Sequence, residues 1–122
     1  MVGTAADDLL HIQTEQGRGC VVIHVDGEID YCTACQLGSE AASAVEDAGS
    51  PRLVLDLGDV TFCDSSGLRV LVDIWKAVRA VGGQLVLARV PERCRMMLRR
   101  TGLAKIFRVR GGVDEAVASV SG

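Results

Sequence analysis

Residues 53–81, LVLDLGDVTFCDSSGLRVLVDIWKAVRAV, hold the segment whose reading decides the fold. Leu53-Val54-Leu55-Asp56-Leu57 is a nearly continuous apolar run, the pattern of a strand buried on both faces and paired in parallel. It delivers the chain into a loop expected over Gly58 to Asp64, and a helix begins at Ser65. In that helix Leu68, Leu71, Val72, Trp75 and Val78 make one apolar stripe, and Val70, Ile74, Ala77 and Val81 make a second. Only Arg69, Asp73, Lys76 and Arg79 form a polar band, with Arg69–Asp73 and Asp73–Lys76 spaced to pair along it. Gly82-Gly83 ends the helix.

Working outward, residues 9–13 and 20–25 are short apolar stretches joined by Glu15-Gln16-Gly17-Arg18-Gly19, a hairpin signal. A helix is expected over about 33–47, where Leu37, Ala41, Ala44, Val45 and Ala48 recur at helical spacing and Asp30 stands at the capping position. Gly49-Ser50-Pro51 breaks it. Beyond residue 83, Gln84–Val90 reads as a strand, Pro91 opens a helix to about Thr101 that Gly102 closes, Ile106–Val109 reads as a short edge strand, and Val113–Val120 as a last helix. The fold class is therefore α/β. One mixed sheet of four to five strands starts with an antiparallel hairpin, continues with parallel strands, and is packed by about four helices.

The 122 residues predict one domain, and 48 % hydrophobic with 24 % charged residues argue against disorder. No apolar run approaches the ~18 residues that span a bilayer, and the first eight residues show no secretory pattern, so a cytoplasmic protein with a flexible stretch at 1–8 is expected. Net charge is −3, but residues 1–50 hold nine acids against one base while residues 89–122 hold eight bases against three acids. That polarity serves to orient a partner, to bring the two chain ends together, or only to solvate the faces. Arg93, Arg95, Arg99 and Arg100 have no interleaved aromatics, so direct nucleic-acid binding is not expected.

Five cysteines, an odd number without an export signal, do not suggest a disulfide framework. Cys20 reads as a small hydrophobe in a strand. Cys32-Thr33-Ala34-Cys35 is a CxxC at a helix start, a setting that can depress a thiol pKa, but no second CxxC completes a zinc site. Neither a metal nor another cofactor is expected.

Asp64-Ser65-Ser66-Gly67-Leu68 falls at the junction of the central strand's exit and the N-terminus of the best helix. Free backbone N–H groups and the helix dipole there accommodate a hydroxyl, a carboxylate or a phosphate. The plain structural account is that Asp64 or Ser65 caps the helix.

Three segments resemble the STAS domains, and within them the bacterial anti-sigma factor antagonists of sporulation and stress response. Gly27-Glu28-Ile29-Asp30 with Thr33-Ala34 is similar to the family's G-E-[IL]-D-x-x-T-A motif. Val60-Thr61-Phe62-Cys63-Asp64-Ser65-Ser66-Gly67-Leu68 is similar to its phosphorylation loop, and Thr101-Gly102-Leu103-Ala104-Lys105-Ile106-Phe107 to its closing segment. The resemblance runs over residues 9–120, taken as the domain. It implies a switch protein without chemistry of its own. In its unphosphorylated form it binds an anti-sigma factor that is also a serine kinase and so frees a sigma factor. The kinase phosphorylates Ser65, and a PP2C-type phosphatase resets it. Asp30, Thr33, Asp64, Ser65, Ser66, Gly67, Leu68 and Arg69 are carried over as the partner-binding positions, on a chain expected to be a monomer or weak dimer.

Arg69 departs from the pattern, where a small or apolar residue is common, and one helical turn from Ser65 it reaches a phosphate or pairs with Asp73. Cys32 and Cys63 occupy variable motif positions where an oxidation input is open. A hydrolase is disfavoured because G-x-S-x-G is missing and His11 and His24 lie on early strands. The remaining alternative is a non-switching STAS adaptor or scaffold subunit, for a lipid-transport ATPase or a sensory assembly.

Overall fold

The computed structural model describes residues 10–17, 19–48 and 52–121. The expected flexible stretch at 1–8 and the break at Gly49-Ser50-Pro51 lie outside the described residues. In chain order the elements are β1 (Leu10–Gln16), β2 (Val21–Ile29), α1 (Ala34–Ala48), β3 (Arg52–Cys63), α2 (Ser65–Ala80), β4 (Gln84–Ala88), α3 (Glu92–Arg100), a 3-10 turn (Leu103–Lys105), β5 (Arg108–Arg110) and α4 (Val113–Ser121). The five strands form one sheet in the order β1-β2-β3-β4-β5. Only β1 and β2 are antiparallel; β2–β3, β3–β4 and β4–β5 are parallel.

Several elements differ in extent from the sequence reading: β4 stops at Ala88 instead of Val90, β5 spans Arg108–Arg110 instead of Ile106–Val109 because Ile106 closes the 3-10 turn, and the hairpin and β3 differ most. The hairpin is longer, because Glu15 and Gln16 pair with Val22 and Val21 in the ladder instead of forming the connection. The loop expected over Gly58–Asp64 is strand as far as Cys63, paired with Asp26, Gly27, Glu28 and Ile29 of β2 through two register shifts. Those shifts break the two-residue alternation along β3, so no strand periodicity is visible there.

The core lies on both faces of the sheet. On one face Val21, Ile23, Val25, Leu53, Leu55, Leu57 and Leu87 pack under Leu37 and Ala41 of α1, Leu71, Ile74 and Val78 of α2, and Cys94 and Leu98 of α3. On the other, Val22, Val54, Val86 and Ala88 meet Ala116 and Val120 of α4. Burying side chains of this size contributes roughly 1.5–3 kcal/mol each before chain entropy is counted. The wide apolar arc of α2 is thereby explained: Val70, Leu71, Ile74 and Val78 are all buried, and the helix ends where Gly82 takes φ 77°. Although β1 and β5 are opposite edges of the sheet, Val113 and Asp114 at the start of α4 line a cleft together with Gln13 and Glu15 of β1.

The α4 face carries one buried carboxylate. Asp56 is 3 % exposed and accepts hydrogen bonds from Arg89 Nε (2.8 Å), Arg89 Nη2 (3.1 Å) and the Gly58 amide (3.1 Å), with His24 Nδ1 at 2.7 Å. Glu15 holds the other His24 nitrogen at 2.8 Å. Arg89 adopts φ 52°, a left-handed conformation for a non-glycine residue, at the end of β4, where the bidentate bond to Asp56 holds it. Burial alone raises the Asp56 carboxyl, but Arg89, Gly58 and His24 outweigh it and hold it below the ordinary carboxylate value. Burial likewise lowers the His24 imidazolium, yet its bonds to Asp56 and Glu15 leave it above the ordinary 6.5.

A raised histidine stabilises the fold fully below about pH 6.5 and ceases to as pH rises through its folded value. His24→Gln should therefore show a larger deficit in urea midpoint at about pH 6 than at about pH 9, and a deficit that is equal at both would refute the charged contact.

Candidate functional site

The carboxyl ends of parallel strands are where α/β sheets present their sites, because the chain leaves there into helix N-termini. Here β2 and β3 end side by side, with Ile29 paired to Cys63. The Asp64 amide donates to the Ile29 carbonyl at 3.3 Å, so Asp30 and Asp64 are neighbouring exits. Each aspartate caps its own turn. Asp30 Oδ1 accepts from the amides of Cys32 (2.9 Å) and Thr33 (3.1 Å). Asp64, in extended backbone at φ −107° and ψ −165°, accepts through Oδ1 from Ser66 (2.9 Å) and Gly67 (3.2 Å).

This settles which side chain caps α2. Asp64 does so, and Ser65 is left as the first helical residue, exposed and with no hydrogen bond to its hydroxyl among the described residues. Ser66 is half-buried and Arg69 exposed. Among the described residues no ion pair links Arg69 to Asp73, contrary to the spacing argument. Both residues instead flank an open groove of about 660 Å³ between α1 and α2, with Gly38, Ser66 and Val70 also lining it.

Other positions named from the sequence face inward. Thr33 is 2 % exposed; its hydroxyl donates to the Glu28 carbonyl at 2.6 Å and accepts from the Asp30 amide at 2.9 Å, which locks the turn after β2. Leu68 belongs to the core, and Gly67 is buried. A Cβ on Gly67 would lie 2.5 Å from Cys63 Sγ and 3.0 Å from the Ile29 carbonyl oxygen. Glycine is required there for close approach of α2 to the end of β2.

Sequence reasoning missed Tyr31, which is 84 % exposed beside Asp30 and lines the groove, and Phe62, which is 44 % exposed two residues before the capping Asp64. Large exposed rings beside a motif were the available signal, since aromatics at a surface are the usual anchors of interfaces. Cys32 and Cys35 are free and exposed, Cys35 in the groove wall. His24 is held by Asp56 and Glu15, and among the described residues no histidine contacts Ser65. Nor do the described residues gather three His, Cys, Asp or Glu side chains able to hold a metal ion. No described helix is long and apolar enough to cross a membrane.

The sequence model of the STAS domain matches residues 11–116. This chain belongs to the STAS domain family. Similar STAS relatives include the anti-sigma F factor antagonist of Paenibacillus polymyxa, 30 % identical over 80 % of this chain and 84 % of that protein. The anti-sigma-B factor antagonist of Bacillus subtilis is 31 % identical over 86 % of this chain and 98 % of its own length. Among solved structures, an anti-sigma factor antagonist from Mycobacterium paratuberculosis superimposes with a TM-score of 0.80 at 30 % identity, covering 94 % of this chain and 97 % of that one.

In this STAS domain the close seat of α2 is open to test. Gly67→Ala inserts a methyl against a backbone carbonyl and should cost about 2 kcal/mol of unfolding free energy, read by urea denaturation. A loss below about 0.5 kcal/mol would show that the helix start has room to shift.

Proposed function

We propose that this protein is an anti-sigma factor antagonist whose unphosphorylated form binds an anti-sigma factor with serine kinase activity, and that phosphorylation of Ser65 releases that partner. The single observation that carries this reading is the Ser65 hydroxyl, exposed and unbonded at the first position of a helix whose cap is supplied by a different residue. The names of the relatives give the partner class. Cytoplasmic operation, a PP2C-type phosphatase that restores the hydroxyl, and a monomeric or weakly dimeric state belong to the same proposal.

The docking surface is the groove between α1 and α2 with its rim. Tyr31, Ser66 and Arg69 line it, and Asp30, Asp64 and Ser65 stand at its sheet end. Thr33, Gly67 and Leu68 shape that surface from below. A phosphate adds about −1.5 to −2 charges. The fold tolerates them, because the N-terminus of α2 favours negative charge and Ser65 points away from the core. The amides of Ser66 and Gly67 are already engaged by Asp64, so the phosphate is not drawn inward to replace the cap.

Binding is where the cost falls. A hydrated dianion next to two carboxylates enlarges a negative patch in a contact shaped for a hydroxyl. Loss of about 3 kcal/mol there weakens binding over a hundredfold. Arg69, one turn along α2 and without a carboxylate partner among the described residues, is placed to take part of that charge. The exposed hydroxyl within a complete Asp64-Ser65-Ser66-Gly67-Leu68 is the feature that favours a switch over a passive adaptor.

Incubation with ATP and an anti-sigma kinase from the same genome should label Ser65 alone, and Ser65→Ala should take no label. Ser65→Asp should bind the unmodified partner about a hundredfold more weakly, with a melting temperature within about 2 °C of the parent. Equal binding by both forms would leave the adaptor reading.

A further inference from the structure

The outer face of α3 has no part in the proposal above. Residues 92–108 carry six basic side chains, Arg93, Arg95, Arg99, Arg100, Lys105 and Arg108, against one acid, Glu92. All seven are exposed. Among the described residues only Arg99 of the six has a carboxylate partner, Glu92 at 3.4 Å. Cys94 and Leu98 are the buried residues of α3, and at 100° per residue Met96 stands opposite them, on the outer crest of the helix. Arg93 and Arg100 flank that crest on one side, Arg95 and Arg99 on the other. Met96 is exposed, as are Phe62 near the end of β3 and Ile106 after the 3-10 turn. Phe62, Arg93, Met96 and Arg100 line one surface cleft of about 210 Å³, so the ring, the crest and one pair of arginines form a continuous patch.

We propose that the outer face of α3, together with Phe62, rests on the surface of an anionic lipid bilayer, with its arginines among the headgroups and Met96 and Phe62 at the acyl boundary. A basic helix with apolar residues between its charges has the form that lies in a membrane interface without crossing it. Arginine stems cover apolar surface while their guanidinium groups stay with the lipid phosphates, to which each can donate two hydrogen bonds. Methionine is unbranched and flexible, so it enters a fluid boundary without a shaped pocket to receive it. The inference depends neither on Ser65 nor on the groove between α1 and α2.

Two features favour a lipid plane over an acidic polypeptide as the occupant. Arginines stand on both flanks of one apolar crest, an arrangement that meets a flat charged surface on both sides at once, whereas a single peptide strand would meet only one flank. The charge of the whole fold is also divided. α3 leads through the 3-10 turn into β5, an edge strand bearing Arg108 and Arg110. The opposite edge is β1, and Glu15 of β1, Asp26 of β2 and Glu40 of α1 are exposed. An anionic plane attracts the first set of charges and repels the second, so the molecule is turned with α3 toward the surface before contact.

The full chain is floated with vesicles of phosphatidylcholine alone and with vesicles holding about 30 % phosphatidylglycerol, at ionic strengths of about 0.05 M and 0.5 M. The expected result is flotation with the anionic vesicles at low salt only. Arg93→Glu/Arg100→Glu should lower the partition coefficient at least about tenfold, and Met96→Ser about threefold. Lys76→Glu/Arg79→Glu makes the same charge change at exposed positions of α2 and should leave the coefficient within about twofold of the parent. No flotation with anionic vesicles at either salt, equal flotation with neutral vesicles, or an equal loss from the α2 pair would each overturn the assignment. Retention on immobilised polyglutamate without flotation would overturn it as well, and would mark an acidic polypeptide as the occupant.

Discussion

The parallel pairing of β2 with β3 up to the last residue of each strand is the constraint on which the rest depends. Ile29 faces Cys63, and the Asp64 amide continues the ladder onto the Ile29 carbonyl. Two chain exits consequently stand one strand spacing apart, about 4.8 Å, and turn over at the same height. Each is closed by an aspartate that takes two backbone amides. Had either strand stopped a residue earlier, the two turns would not share a surface, and the groove between α1 and α2 would open onto a ragged edge. Gly67 enforces the same height from the helix side, since only a missing side chain lets α2 rest against the end of β2.

The charged groups at this end of the sheet are separate from those that hold the fold together. The carboxylates of Asp30 and Asp64 are oriented by the turns they cap, and the exposed Ser65 hydroxyl has no hydrogen bond among the described residues. A group added there meets solvent and any docked partner before it meets the core. The stabilising ionic contacts lie elsewhere: Glu15, His24, Asp56 and Arg89 tie β1, β2, β3 and the end of β4 together on the α4 face. Separation of the two clusters keeps a charge change at Ser65 from loosening the sheet.

The end of β3 places a thiol and a hydroxyl two residues apart yet on different sides, because the chain leaves the strand at Cys63 and enters α2 at Ser65. Cys63 turns inward against α2 and α3, Asp64 folds back as a cap, and Ser65 points outward. Any change in the seat of Cys63 is felt by the amides that Asp64 organises.

The hairpin, the alternation of strand and helix, the wide buried arc of α2, and the motif Asp64-Ser65-Ser66-Gly67-Leu68 at a helix start are all legible in the amino-acid order. Those features follow from periodicity, caps and breakers that act within a few residues of one another. It takes the packed fold to show that Asp64 is the cap with Ser65 exposed beside it, that β3 runs through two register shifts to Cys63, and that Arg69 and Asp73 flank a groove instead of pairing. The same holds for Asp56 with Arg89 and for Tyr31 standing exposed over the groove. Residues so far apart along the chain are joined by strand order and helix packing, and such contacts leave no periodic trace in the sequence.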